Sequence, residues 1–302
     1  MAKSSLSKII LIDGNAIVHR SFHALPPFKT SKGELVNAIY GFASIILNIL
    51  KTESPEYIAA AFDLKGPTFR HEEYKEYKAT RVKAPDELYT QIPKIKELVD
   101  AFGIPIFEQE GYEADDILGT LASQAEKKDI ITYIVTGDMD ALQLVTEKIK
   151  VYGYNGKFSE PTIYDVSKVL NKYGLKPSQV PDMKGLQGDS SDNIKGVAGV
   201  GPKTAKMLLQ TYGNIENIYK NLGEIKETVR EKLEKDKDSA FLSKKLATII
   251  KDMDIELDLS KCKTHDYDKE KIKDIFLKFE FKSLIPRLES FQETEPLQPS
   301  LF

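Results

Sequence analysis

Three short apolar runs along the chain share one ending. Lys8–Asp13 reads KIILID, residues 57–63 read YIAAAFD, and residues 132–138 read TYIVTGD; each has the continuous apolar pattern of a buried strand and closes on an aspartate. Between them the period changes. Residues 36–50, and residues 88–102 with Ile92, Ile95, Leu98 and Val99, carry apolar positions at helical spacing. Strand alternating with helix predicts an α/β fold around a mostly parallel sheet. Such a sheet sends all its strands the same way, so Asp13, Asp63 and Asp138 are expected together at its carboxyl edge, where open α/β folds place their ligands.

The stretch GYEADDILG, residues 111–119, sets Glu113, Asp115 and Asp116 just before an apolar helical pattern of Ile117, Leu118, Leu121 and Ala122. Helix capping and the helix dipole account for acids in a first turn, and each further aspartate, Asp140 in TGDMD or Asp189 and Asp192 in GDSSDN, taken singly reads as a cap or turn residue. Their accumulation at strand-to-helix junctions is what capping leaves unexplained. Carboxylates about 4 Å apart repel by roughly 4 kcal/mol per pair at an effective dielectric near 20. Either several are protonated or divalent cations sit among them. An all-oxygen donor set, with His19, His23 and His71 elsewhere in the pattern, selects magnesium or manganese over zinc, and the number of carboxylates suggests two ions, the arrangement used for in-line attack on a phosphodiester.

Two further stretches carry positive charge. Residues 195–209, KGVAGVGPKTAKMLL, contain no acid; glycines bracket a turn and Pro202 stands where a helix begins. A plain helix-turn-helix packing element fits this pattern, and so does a phosphate-binding turn; Lys195, Lys203 and Lys206 favour a sequence-independent clamp on a nucleic-acid backbone. Residues 65–85, KGPTFRHEEYKEYKATRVKAP, are rich in Lys, Arg and Tyr; if helical, they set Arg70, Tyr74, Tyr77 and Arg81 on one stripe beside Lys78. Glu72, Glu73 and Glu76 suit a solvated charged helix, but the segment follows Asp63 directly, so the expected role is to lead a single strand to the acids.

Composition adds limits. The chain has 302 residues with 41% hydrophobic content, enough for one large domain or two modest ones. A lone cysteine, Cys262, allows no intrachain disulfide, and no N-terminal run is long enough for a secretory or membrane segment, which together point to the cytosol. The net charge of -3 gives no global attraction to a polyanion, so nucleic-acid binding must rest on local basic patches.

The ordered set LIDGNAIVHRSFHAL, FRHEEYKEYKATR, GYEADD, TGDMD and GDSSDNIKGVAGVGPKTA, spread over residues 8–289, resembles the flap endonuclease family, in the form of the 5'-nuclease module of bacterial DNA polymerase I. The resemblance implies a PIN-like α/β core over residues 1–181 with a helical arch at 64–95, and an all-helical helix-three-turn-helix DNA-binding region over residues 182–290. It implies two Mg2+ or Mn2+ ions: Asp13, Asp63, Glu113, Asp115 and Asp116 around the first, Asp138, Asp140, Asp189 and Asp192 around the second, with Asp115 or Asp138 between them. Arg70 and Lys78 would be catalytic arch residues, Tyr74 a stacking residue, and Arg81, Lys195, Gly199, Gly201, Lys203, Thr204 and Lys206 would contact DNA, with a potassium ion in the turn as a further family expectation.

The implied substrates are DNA with a 5' flap, nick or gap and RNA primers in hybrid, cleaved by a monomer associated with the nucleoid in replication and repair. A flap-binding adaptor without activity and a PIN-group ribonuclease are the alternatives; a haloacid-dehalogenase phosphatase is disfavoured because Asp13 is followed by Gly14 and Asn15 without a second aspartate. In the family a proofreading and polymerase region would follow residue 289. Here a tail over residues 291–302 ends QPSLF, in which Gln298, Leu301 and Phe302 resemble the peptide that docks on the bacterial sliding clamp, and this favours a self-standing nuclease.

Overall fold

The computed structural model of the chain describes residues 7–154, 161–264 and 267–290. Its sheet is built on β1 (Lys8–Asp13), which is buried on both faces. Side chains alternate across a strand, so Ile10 and Ile12 enter one apolar cluster while Ile9 and Leu11 enter another on the opposite face. This two-sided burial is why KIILID reads as an unbroken apolar run. The first cluster is closed by α1 (Gly14–Ala24) and α2 (Asn37–Glu53).

After β2 (Tyr57–Ala61) the chain forms α3 (Phe69–Glu73), α4 (Asp86–Tyr89) and α5 (Ile92–Ala101), then β3 (Ile106–Phe107), α6 (Ala114–Lys127) and β4 (Ile131–Thr136). A six-residue 3-10 segment, Met139–Leu144, leads to β5 (Ile149–Gly153) and β6 (Thr162–Tyr164). The strand order is β3-β2-β1-β4-β5-β6. All neighbours are parallel except the β5/β6 pair. The chain therefore changes direction of travel across the sheet between β1 and β4, which is the topological switch point where ligands of open α/β folds lie.

Two helix expectations are corrected. The pattern over residues 88–102 is broken between α4 and α5, because the Gln91 side chain turns inward and its Oε1 accepts from the Ala38 (2.9 Å) and Ile39 (3.3 Å) amides. That fills a need: Val36, the N-cap residue of α2, offers no side-chain cap. The arch segment is not one helix either. α3 has five residues, Tyr74 is already extended, and the chain then turns tightly, with Lys78 at φ 55°. Arg70 and Tyr77, expected on an exposed stripe, are 1% and 3% exposed. The segment is instead pinned to the GDSSDN loop: the Lys78 amide donates to the Asp192 carbonyl (2.9 Å) and Asn193 Nδ2 to the Glu76 carbonyl (2.7 Å).

Beyond the sheet come α7 (Val166–Tyr173), α8 (Val180–Gln187), α9 (Pro202–Tyr212), α10 (Ile215–Lys220), α11 (Glu227–Lys235), α12 (Lys237–Ala247), α13 (Lys269–Lys278) and α14 (Ile285–Glu289). Helices α8 to α12 share their own core, with Leu186, Val200, Leu208, Leu209, Ile218 and Leu233 all buried. By contrast α13 returns to the sheet, where Ile272 and Phe276 join the first cluster. Pro202 opens α9 as its spacing predicts. Among the described residues no helix is long and apolar enough to cross a membrane.

Candidate metal centre and nucleic-acid surface

The three strand-end aspartates meet. Asp13, Asp63 and Asp138 line one open cavity of about 640 Å³, together with Glu113, Asp115 and Lys78. Register explains the meeting: Asp13 lies opposite Ala61 of β2, and Ile12 opposite Val135 of β4, so the residues just past β2 and β4 flank the end of β1. Asp13 also caps α1. Its Oδ1 accepts from the Ala16 amide (3.0 Å), and its Oδ2 accepts from the Thr136 hydroxyl (2.7 Å). Burial, reinforced by the like charges of Asp63 and Asp138, nevertheless pushes the Asp13 carboxyl up to about 7. Asp63 stands at the rim, and its Oδ1 accepts from the Ala114 amide at the start of α6 (2.7 Å).

The acids of GYEADD divide. Asp115 Oδ1 is buried without a hydrogen-bond partner. Burial, with repulsion from Asp116, holds the Asp115 carboxyl well above the ordinary range. A buried carboxylate oxygen left without a donor among hard oxygen ligands is what a divalent cation would satisfy, so the residues present fit one.

Asp116 does not belong to that set, and its expected role as a ligand is corrected. It is fully buried, with Arg70 Nη1 at 2.6 Å from Oδ2 and Arg70 Nη2 at 2.7 Å from Oδ1, and it accepts the Ile250 (2.9 Å) and Glu113 (3.2 Å) amides as well. Both oxygens are committed. Arg70 is corrected with it: its Nε donates to the Leu246 carbonyl (2.8 Å), and its guanidinium belongs to the interior rather than to the cavity. An arginine that finds a buried bidentate carboxylate is held there, because neither charge tolerates burial alone.

The second acid set is tight. Asp140, Asp189 and Asp192 each offer an oxygen within 4.8 Å of the others. Asp140 follows Asp138, whose Oδ1 accepts the Asp140 amide (2.9 Å). Asp189 and Asp192 hang from the loop after α8, where Gly188 (φ 78°) and Gly196 (φ 65°) lie back to back; a Cβ on Gly196 would come within 2.2 Å of the Gly188 nitrogen. No other residue fits that crossing. The Asp189 to Ile194 bridge closes the loop, with 2.8 Å bonds in both directions. Lys184 of α8 is bonded to both Asp140 and Asp189. Burial, with repulsion from Asp138, raises the Asp140 carboxyl to about 6, whereas the Asp189 carboxyl, despite burial, is held below its usual range by Lys184 and Ser191.

Basic side chains close over both sets. Lys78 Nζ lies 2.7 Å from Glu113 Oε1, Arg81 is paired with Asp192, and the Tyr77 hydroxyl donates to Glu113 Oε2 (3.1 Å) and Asp192 Oδ2 (3.2 Å). Tyr74 is half-buried against Ile194 and Leu246, with the Lys195 ammonium 5.7 Å from its ring centroid. At the glycine turn, Lys195, Gly199, Gly201 and Lys203 are exposed and Thr204 is half-buried. Lys206 lies against Gly174, at the carboxyl end of α7. Gln298, Leu301 and Phe302 lie outside the described residues.

Several cavity residues were not legible from spacing. His19 and His23, expected elsewhere, line the same cavity with Arg20, because helical periodicity turns this face of α1 toward the strand ends. Burial, together with the nearby His23 and Arg81 charges, lowers His19. Arg20 stacks 4.5 Å above the Tyr154 ring and adds a cationic side chain to the lining of the cavity. Asn15 Oδ1 accepts the Asp63 amide (3.1 Å). Lys184 had a signal, a lysine one helical turn ahead of Gly188 and Asp189 in DMKGLQGD, but a lysine on a helix is ordinarily solvated. His71 caps α3 through Thr68 and takes no part.

The family model for the 5'-3' exonuclease N-terminal resolvase-like domain matches residues 8–174, and that for the 5'-3' exonuclease C-terminal SAM fold matches residues 175–270. The DNA polymerase I of Caldicellulosiruptor bescii is 47% identical over 283 residues, 93% of this chain and 33% of the relative. That of Bacillus subtilis is 44% identical over 93% of this chain and 32% of the relative. The chain thus spans about a third of the length of these curated relatives. Among solved structures, the bacteriophage T5 flap endonuclease in a pseudo-enzyme-product complex with DNA and metal ions superposes with a TM-score of 0.68 at 19% identity, covering 93% of this chain and 99% of that one. The catalytic core of Rad2 in complex with a DNA substrate gives 0.61 at 19% identity, covering 93% of each chain. At such identity these two likenesses speak for the fold alone, a parallel-sheet core with an attached helical unit. Its two matched domains and its extended identity to the polymerase relatives make this chain a member of the 5'-3' exonuclease family.

Proposed function

We propose that the chain is a divalent-metal-dependent, structure-specific nuclease that cleaves phosphodiester bonds from the 5' end of DNA, and of RNA primers in hybrid, including at 5' flaps. One observation carries this reading: Asp13, Asp63, Glu113, Asp115 and Asp138 converge on one cavity, with a buried Asp115 oxygen that no protein donor satisfies. Asp13, Asp63, Glu113 and Asp115 would hold one Mg2+ or Mn2+, and Asp138, Asp140, Asp189 and Asp192 a second; bound there, such ions supply Lewis acidity toward the phosphodiester and toward water. The chain's own residues do the rest. Lys78 and Arg81, fixed above the acids by Glu113 and Asp192, are placed to meet the charge of an incoming phosphate, and the Arg20 side chain in the cavity lining offsets repulsion of the strand by the carboxylates. The glycine turn with Lys195, Lys203, Thr204 and Lys206 would grip the duplex backbone, with a potassium ion in the turn.

Nicks, gaps and flaps left by replication and repair are the corresponding substrates, reached by a monomer at the nucleoid, with Gln298, Leu301 and Phe302 as a docking peptide for the sliding clamp. The test is a labelled 5'-flap duplex incubated with Mg2+ and then with a chelator, beside Asp115→Asn. Cleavage is expected with Mg2+ alone and loss of it in the variant, with duplex binding retained in both; cleavage that survives the chelator or the substitution would overturn the assignment.

A further inference from the structure

The two acid sets are not equivalent in what the chain itself supplies to them. In the first, Lys78 pairs with Glu113, but the buried Asp115 oxygen has no donor. In the second, three of the four acids already meet a cation of the protein: Arg81 pairs with Asp192, and Lys184 bonds Asp140 Oδ2 and Asp189 Oδ2 together. The Lys184 side chain is only 14% exposed, so its ammonium lies inside the cluster rather than in solvent.

We infer that Lys184 is a built-in competitor for the second divalent cation, a single side chain that sets how much metal is needed to fill that position. The inference rests on the metal-dependent reading above. An ion about 2.0–2.1 Å from carboxylate oxygens and an ammonium in hydrogen-bond contact with the same two oxygens would stand within a few ångströms of each other as like charges. They cannot keep both oxygens, so Lys184 must withdraw along its stem before Asp140 and Asp189 turn to the ion. The first position fills readily and the second fills last.

A purely structural role is the competing account, and the loop's construction argues against it. The placement of Asp189 is fixed by the Gly188/Gly196 crossing and the Asp189 to Ile194 bridge, while α8 is seated through buried Leu186 and through Asp182, whose Oδ1 lies 2.8 Å from Lys244. None of these contacts involves Lys184. Its removal therefore leaves the loop built and releases Asp140 Oδ2 and Asp189 Oδ2.

The experiment is calorimetric titration of Mn2+ into the full chain at one fixed pH, for the wild type, Lys184→Met and Lys184→Arg, with chelator-treated thermal melts of each. The wild type is expected to take one ion tightly and one weakly. Lys184→Met should tighten the weak ion by about tenfold or more while leaving the tight one unchanged, and Lys184→Arg should leave the weak ion weak. An unchanged or loosened weak ion in a Lys184→Met protein that melts cooperatively would overturn the inference. If the Met variant fails to melt cooperatively, Lys184→Gln takes its place, and failure of both makes Lys184 a structural residue, which also overturns it. Flap cleavage by the wild type is read separately: cleavage with no change in the variants sinks the competitor and spares the nuclease, whereas tightened binding without any cleavage does the reverse.

Discussion

Asp13→Asn should make the metal-free protein more stable while abolishing cleavage. The Asp13 carboxyl is 7% exposed and is pushed from 3.8 to about 7, by burial first and by Asp63 and Asp138 second. At ~1.4 kcal/mol per pH unit this displacement corresponds to about 4 kcal/mol by which the ionised group disfavours the folded state above pH 7. The sign follows from proton counting. Between pH 4 and 7 the native state holds a proton that the unfolded state has released, so stability falls as pH rises through that window and stays low beyond it. Asparagine removes the charge but keeps an oxygen for the Ala16 amide, so the α1 cap survives, less roughly 0.3–1 kcal/mol of charge–dipole attraction. The net gain should be about 3 kcal/mol at pH 8 and near zero at pH 4. Urea denaturation in chelator, repeated from pH 4 to 9, reads it directly. A variant that is destabilised at pH 8, or whose difference from wild type does not grow with pH, would refute the reasoning.

Two other substitutions separate framework from contact residues. Arg70→Met should cost about 3–5 kcal/mol in the same denaturation assay, because it strands the fully buried Asp116 charge against an apolar interior. Lys203→Ala should leave stability unchanged and lower the slope of log binding constant against log salt for duplex DNA by about 0.9, the share of one phosphate contact.

Much of the architecture could be read from period alone, because the sheet is buried on both faces and its strands must be continuously apolar. The aspartates that close those runs were legible for the same reason: a charged residue ends such a strand, and a parallel sheet brings the ends together. Which acids face the cavity was not legible. Glu113, Asp115 and Asp116 lie within four residues and carry the same charge, and only the arrival of Arg70 from α3 and of the Ile250 amide decides that Asp116 is paired in the interior while an Asp115 oxygen is left without a donor. The arch stripe misled because helical spacing does not show that the segment turns at Lys78, where its Lys78 amide and Glu76 carbonyl meet the GDSSDN loop. His19 and His23 were passed over because their placement depends on the face α1 presents once Asp13 caps it. In each case a long-range partner overrode a local pattern.

The two acid sets also differ in what must be assembled before they exist. Asp13 and Asp63 of the first set stand on the ends of neighbouring strands, with Asp138 of the second beside them, so the sheet register alone brings these three together. The second set straddles two bodies of structure: Asp140 belongs to the edge beyond β4, whereas Asp189 and Asp192 hang from the loop that joins α8 to α9, whose core is separate. That loop runs directly into the glycine turn and Pro202, where a duplex backbone would be held, and its glycine crossing leaves it little freedom to stretch. Lys78 and Arg81 tie the basic segment to the same loop through the Asp192 carbonyl and carboxylate. A backbone gripped at the turn is therefore linked through a stiff span to two carboxylates of the second set and to the side chains above them. On the proposed reading, the spacing between a held duplex and the reacting phosphate would be fixed by covalent connection rather than by recognition of any base, so a sequence-independent grip would still select the position of a cut.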